Sequence, residues 1–205
     1  MKFFSRFFAT KPDFSKPDSV FEHEPVLGTE EFNELMCMEP EKRMALLDLT
    51  RLVCSHLQEH EVQAICINIE KTMTEGGDVE EVLSSCLSEE HFGGLRSRFL
   101  FTAEPRRLRE ASEQYSVIIA ALGIRESLPS AVTNPPHSDV ALSIAAFGDY
   151  LIENGIVPLH LEINSDTYYM LFLKAKYLQP ALALAERAGL GIISNDLFRS
   201  REVDA

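Results

Sequence analysis

Apolar residues recur at helical spacing through the middle of the chain and crowd into two short runs near its end. From Pro40 onward, Met44, Leu47, Leu49, Leu52, Val53 and Leu57 form one stripe, and Val62, Ile65, Ile69 and Met73 form another. Positions three or four residues apart share a helix face, so this spacing predicts a long helical run. Proline suits its first position, where an N–H would have no partner. Gly76-Gly77 ends the run. Asp78 with Glu81 then has the spacing of a capping box, opening a short helix through Leu87 that Gly93-Gly94 closes. Arg96 to Thr102 reads as a strand. A helix from Pro105 carries Leu108, Ala111, Tyr115, Ile118, Ile119 and Leu122 and should stop at Gly123. Residues 126–137 read as a loop, and Ser138 as the cap of a further helix that ends before Gly155.

The last third gives the clearest β signal. Ile156 to Ile163 and Thr167 to Leu173 are apolar runs joined by Asn164-Ser165-Asp166, which predicts a hairpin with a three-residue turn. A helix from Tyr177 to Ala188 follows, with Gly189 as its stop, and Gly191 to Ser194 can add a short strand. Helices followed by a hairpin, a helix and a strand imply an α+β fold. Its helical N-terminal half should pack on one face of a small, mainly antiparallel sheet. The expected organisation is an N-terminal amphipathic arm and linker over 1–20, a single domain over 21–195 and a frayed polar tail over 196–205.

The arm has Phe3, Phe4, Phe7 and Phe8 on one helical face, with Lys2 and Arg6 toward the other, before two Lys-Pro-Asp units. Arg6 interrupts the apolar stretch and no small-residue cleavage site follows, so a signal peptide is not expected. Hydrophobic residues make up 45% of the 205 and charged residues 25%, which is globular composition. No apolar window reaches the length of a spanning helix.

The formal charge of −13 is unevenly spread. Residues 18–93 carry 18 acidic and 4 basic side chains, whereas residues 94–125 carry 3 acidic and 6 basic. Such a surface repels backbone phosphates and argues against nucleic acid as a ligand. It would attract a basic protein. The same charge opposes stable membrane attachment of the arm. Cys37, Cys54, Cys66 and Cys86 form no C-x-x-C pair and sit in apolar contexts. They read as reduced, buried thiols of a cytoplasmic protein.

The run GDYLIENGIVPLHLEINSDTYYMLFL and the following ALALAERAGLGI resemble the end of a widespread uncharacterised bacterial domain family. Ser165, Asp166 and Tyr168 match its Ser-Asp-x-Tyr turn, and RFLFTAEPRRLREASEQYSVIIAALGI is more loosely similar to its middle part. The family's strand there carries a tryptophan, which this chain lacks. The resemblance spans about residues 60–193 and implies a fold more than an activity. Acidic domains of this kind are similar to immunity proteins that neutralise bacterial toxins.

Two constellations could carry chemistry. His56-Leu57-Gln58-Glu59-His60 is an H-x-x-E-H pattern, in which histidines one helical turn apart bind zinc and the glutamate acts as base. His56 also continues the Leu52 and Val53 stripe, where a packed histidine is ordinary. Asn164, Asp166, Tyr168 and Tyr169 are the candidate binding residues. Asn and Asp suit the turn by themselves, and adjacent tyrosines on a strand point to opposite faces. One should therefore be core and the other an exposed interface anchor. The leading expectation is a non-enzymatic cytoplasmic binding protein that neutralises a basic protein partner, without a cofactor; the alternative is a small zinc-dependent hydrolase using His56, His60 and Glu59. A homo-oligomer is compatible with either. Deleting residues 1–17 is expected to leave the melting temperature unchanged; a large drop would place the arm in the core.

Overall fold

The structure, a computed structural model, describes residues 39–74, 82, 98–163 and 166–204. The N-terminal arm, the Asp78 cap, both glycine pairs and turn residues Asn164 and Ser165 lie outside the described residues.

Among the described residues the order is α1 (Pro40–Val53), α2 (Glu59–Thr74), β1 (Leu100–Ala103), α3 (Leu108–Leu122), a helical turn α4 (Ser130–Thr133), α5 (Val140–Glu153), β2 (Ile156–Glu162), β3 (Tyr168–Lys174), α6 (Leu178–Ala188), β4 (Gly191–Ile193) and α7 (Asn195–Glu202). The fold is α+β, with a four-stranded antiparallel sheet ordered β1-β3-β2-β4. The hairpin is its centre: Leu159 faces Leu171 and His160 faces Met170. β1 joins the β3 side, Leu100 opposite Leu171, and β4 joins the β2 side, Ile193 opposite His160.

Helices cover both faces of this sheet, not one. Leu159, Leu161, Leu171 and Leu173 belong to a core with Leu46, Leu49, Ile65 and Ile69 of α1 and α2 and Ala181 and Ala185 of α6. The alternate residues, Ile156, Met170 and Phe172, belong to a second core with Tyr115 of α3, Ile144 and Phe147 of α5 and Phe198 of α7. A strand buried on both faces is apolar at every position instead of at alternate ones. That is why the interiors of both hairpin strands read as apolar runs, with His160 the one exception.

The helical run from Pro40 breaks at residues 54–58. Gln58 opens α2, and the Glu61 side chain reaches back to its N–H at 3.0 Å. This is half of a capping box. No glycine or proline marks the break, and Leu57 continues the apolar stripe across it. Gly123 and Gly189 end α3 and α6 in the left-handed conformation, φ +72° and +78°. Asp139, not Ser138, caps α5, accepting from the Leu142 N–H at 3.0 Å. His137 and Ser138 take φ +57° and +56° on the way in, a strained region for residues with a Cβ.

The two sheet edges end differently. On the outer side of β1, Gln114 of α3 stands in for a fifth strand. Its Oε1 accepts from the Thr102 N–H at 3.1 Å and its Nε2 donates to the Thr102 carbonyl at 2.6 Å. An edge strand with unmet backbone groups templates further pairing, and the amide occupies both backbone groups of Thr102. On the other side β4 stops opposite His160, two residues short of Pro158. Proline has no N–H to give a neighbouring strand, so it is tolerated where a ladder ends. Gln114→Ala should lower stability by about 1–2 kcal/mol in urea unfolding; an unchanged midpoint would show that the amide does not support the edge.

Candidate functional site

The H-x-x-E-H residues do not share a helix face. His56 lies in the turn between α1 and α2, while Glu59 and His60 are exposed in the first turn of α2. Both His56 nitrogens meet carbonyls: Nδ1 lies 3.1 Å from the Val53 oxygen and Nε2 2.7 Å from that of Arg98. A neutral imidazole has one N–H, so it can donate to only one of these two carbonyls. Burial holds the His56 pKa below its ordinary value, against the opposing pull of the two carbonyls. His56 fastens the end of α1 to the segment before β1 and presents no ligand pair with His60. No group of three metal-ligating side chains occurs among the described residues.

The acidic excess also lies elsewhere than the helices suggested. In residues 39–74 there are 6 acidic and 4 basic side chains, so −12 of the −14 in residues 18–93 lies outside the described residues. Several carboxylates of α1 and α2 are paired, Glu70 with Arg43 at 2.9 Å, Asp48 with Arg51 at 2.8 Å and Glu61 with Arg98.

Among the described residues, the chemically richest place is at the turn end of the hairpin, and α7 builds it. The polar tail, expected to fray, belongs for most of its length to a helix held by two anchors, Asn195 at its start and Phe198 within it. Ser194 caps it through the Leu197 N–H at 3.3 Å. Asn195, 3% exposed, joins three elements. Its Nδ2 donates to the Ala145 carbonyl at 3.0 Å and to Asp149 Oδ1 at 2.7 Å. Its Oδ1 lies 3.0 Å from His160 Nε2, and Asp149 is also bound by Arg199. The amide sits so close to α5 that a Cβ on Gly148 would lie 2.1 Å from Asn195 Oδ1. Phe198, the second anchor, stacks on the His160 ring at 4.1 Å and 8°, and Tyr168 meets it edge-on at 5.5 Å.

The network fixes the tautomer of His160. Both Asn195 amide hydrogens are committed to oxygens, so its Oδ1 must accept and His160 Nε2 must donate. Nδ1 then carries a lone pair, and it is buried without a hydrogen-bond partner. Burial pushes the His160 pKa down to about 4, the Asn195 bond opposing the shift.

Above this network lies a cleft of about 350 Å³ between the hairpin end and α7. Of the four expected binding residues, Asp166, Tyr168 and Tyr169 line it, and Asn164 falls outside the described residues. The tyrosines do point to opposite faces, but neither is freely exposed. Each is half-buried, Tyr168 against the second core and Tyr169 against the first. The reason is that both faces of the sheet are covered. The Tyr168 hydroxyl donates to Glu202 at 3.2 Å. Burial and then the Glu202 carboxylate push its pKa up to about 12. Glu162 and Arg201 pair across the cleft wall. The sequence reading missed His160, Asn195, Arg201 and Glu202. The available signal was a histidine inside the apolar run Ile156 to Ile163.

Folding lowers the His160 pKa and so ties stability to pH. The group is neutral when folded and titrates near 6.5 when unfolded, so acid favours the unfolded chain. The stability that its neutral state contributes is complete above pH 6.5 and is lost as pH falls toward about 4. The loss is on the order of 3 kcal/mol. Denaturation midpoints at pH 7 and pH 5 should differ less in His160→Gln than in the parent chain. Equal differences would mean that His160 does not titrate in this window.

No helix among the described residues is long and apolar enough to cross a membrane. No protein-family model matches the chain, nor does any curated protein or solved structure.

Proposed function

We propose that the protein is a non-enzymatic binding protein of the cytoplasm and that it neutralises a basic protein partner at the hairpin-end cleft. One observation carries this reading: Asp166, Tyr168 and Tyr169 meet Glu162 and Glu202 around a single concave surface. Half-buried aromatic side chains beside carboxylates suit an interface anchor. The chain's net charge of −13 supplies long-range attraction for a cationic protein. Affinity then rests on the desolvated tyrosines, and charge mainly sets association rate and specificity. The free, buried thiols of Cys54 and Cys66 agree with a reducing compartment.

Affinity capture from the native cell should return a basic protein whose association rate falls steeply from low to physiological salt. Tyr168→Ala should weaken that complex about thirtyfold, mostly through faster dissociation. Because Tyr168 also packs on Phe198, Tyr168→Phe serves as the folded control. Capture of only neutral or acidic partners, or a salt-insensitive complex, overturns the proposal.

A further inference from the structure

Among the described residues, no backbone hydrogen bond ties α7 to another element. Side chains dock it, and of these only Asn195 and Phe198 are buried. Both buried anchors meet at His160: Asn195 Oδ1 accepts from its Nε2, and Phe198 stacks on its ring. The imidazole is 2% exposed and its Nδ1 has no partner. A second proton would therefore place a charge, and a donor without an acceptor, inside the second core, where both are costly. Relief requires water at the ring. The strands on either side cannot yield without breaking the ladder, since Met170 of β3 and Ile193 of β4 both lie opposite His160. α7 is the cover whose departure leaves the ladder whole.

We infer that α7 is an acid-released latch: a proton on His160 undocks it from the second core and takes down one wall of the cleft, while the sheet stays paired. The other charged and titratable groups at this contact are few. Asp149 of α5 holds Arg199, and Glu162 of β2 holds Arg201. Tyr168 of β3 donates to Glu202, with Asp139 acting on it from the start of α5. β4 brings no titratable side chain, and Asp196 of α7 is exposed. Asp149 and Glu162 release their arginines when protonated, so they too loosen α7 in acid. Burial holds the docked His160 ring down to about 4, whereas a ring in water titrates near 6.5. Docking thus has its full strength above pH 6.5 and weakens as pH falls toward about 4. Arg201 and Glu202 line the cleft and leave with α7, whatever the cleft binds.

Amide hydrogen exchange on the full chain, read by NMR and corrected for the intrinsic rate at each pH, separates local from global opening. The N–H groups of Phe198 and Val203, bonded to the Ser194 and Arg199 carbonyls, report on α7, and those of Leu171 and Phe172 on the sheet. At pH 7 the α7 amides should be less protected than the sheet amides. Their protection should fall about twentyfold between pH 7 and pH 5. In His160→Gln, which keeps the carboxylates, most of that fall should disappear. Gly148→Ala is an independent release, because the new Cβ would lie 2.1 Å from Asn195 Oδ1. It should strip protection from α7 at pH 7 and leave the sheet amides protected. Equal protection of α7 and the sheet at both pH values would mean a single global unfolding and overturns the inference. So does a full pH response retained in His160→Gln, or α7 protection untouched by Gly148→Ala. The comparison of α7 with the sheet is made in the parent chain, so it decides even where a variant does not fold.

Discussion

A two-stranded ribbon with apolar side chains on both faces has no stable existence in water until each face is covered. The hairpin of β2 and β3 is such a ribbon, and most of the described structure answers its demand. α1, α2 and α6 cover one face, and α3, α5 and α7 the other. The same demand decides what can be polar. A histidine at the sheet centre is tolerated only with its ring flat against Phe198 and one nitrogen bound to Asn195. Isolated polar burial is costly, so the network tying α7 to α5 and β2 exists around that one side chain.

Local signals in the chain were legible where they were strong. The hairpin, the glycine stops at 123 and 189, and the order of helices before strands can all be read from residue spacing. What could not be read depended on contacts far apart in sequence. The apolar stripe from Leu52 to Leu57 crosses the break between α1 and α2 because the break is made by a side-chain cap, not by a glycine. The tail looked frayed because its two anchoring contacts, Asn195 to α5 and Phe198 to His160, are supplied by residues 35 to 50 positions earlier. Coverage of both sheet faces was written in the near-continuous apolarity of the strands, whereas an antiparallel hairpin by itself is compatible with one solvated face. At the site, Asp166, Tyr168 and Tyr169 were visible as turn chemistry, whereas Glu202 and Arg201 reach the cleft only because α7 folds.

Charge shows the same division between sequence and structure. A count along the chain concentrates negative charge between residues 18 and 93, yet the described helices of that region hold little of it and pair several of their carboxylates. The carboxylates at the cleft come instead from β2, the hairpin turn and α7, three places separated in the chain and modest in any window of sequence. Local concentration of charge in space, not along the chain, sets the field a ligand meets.

The strand order has a bearing on how the chain is made. Neighbours in the sheet are joined locally only at the hairpin; β1 and β4 each attach to its outer sides after a helical crossover. During synthesis α1, α2 and β1 leave the ribosome before β3, the strand with which β1 pairs. Their apolar surfaces have no sheet to close on until residue 174 has emerged. Contacts that must wait for distant partners form slowly and leave apolar surface open meanwhile. The nascent chain is therefore at greatest risk of sticking to its neighbours in the interval between completion of α1 and α2 and appearance of the hairpin.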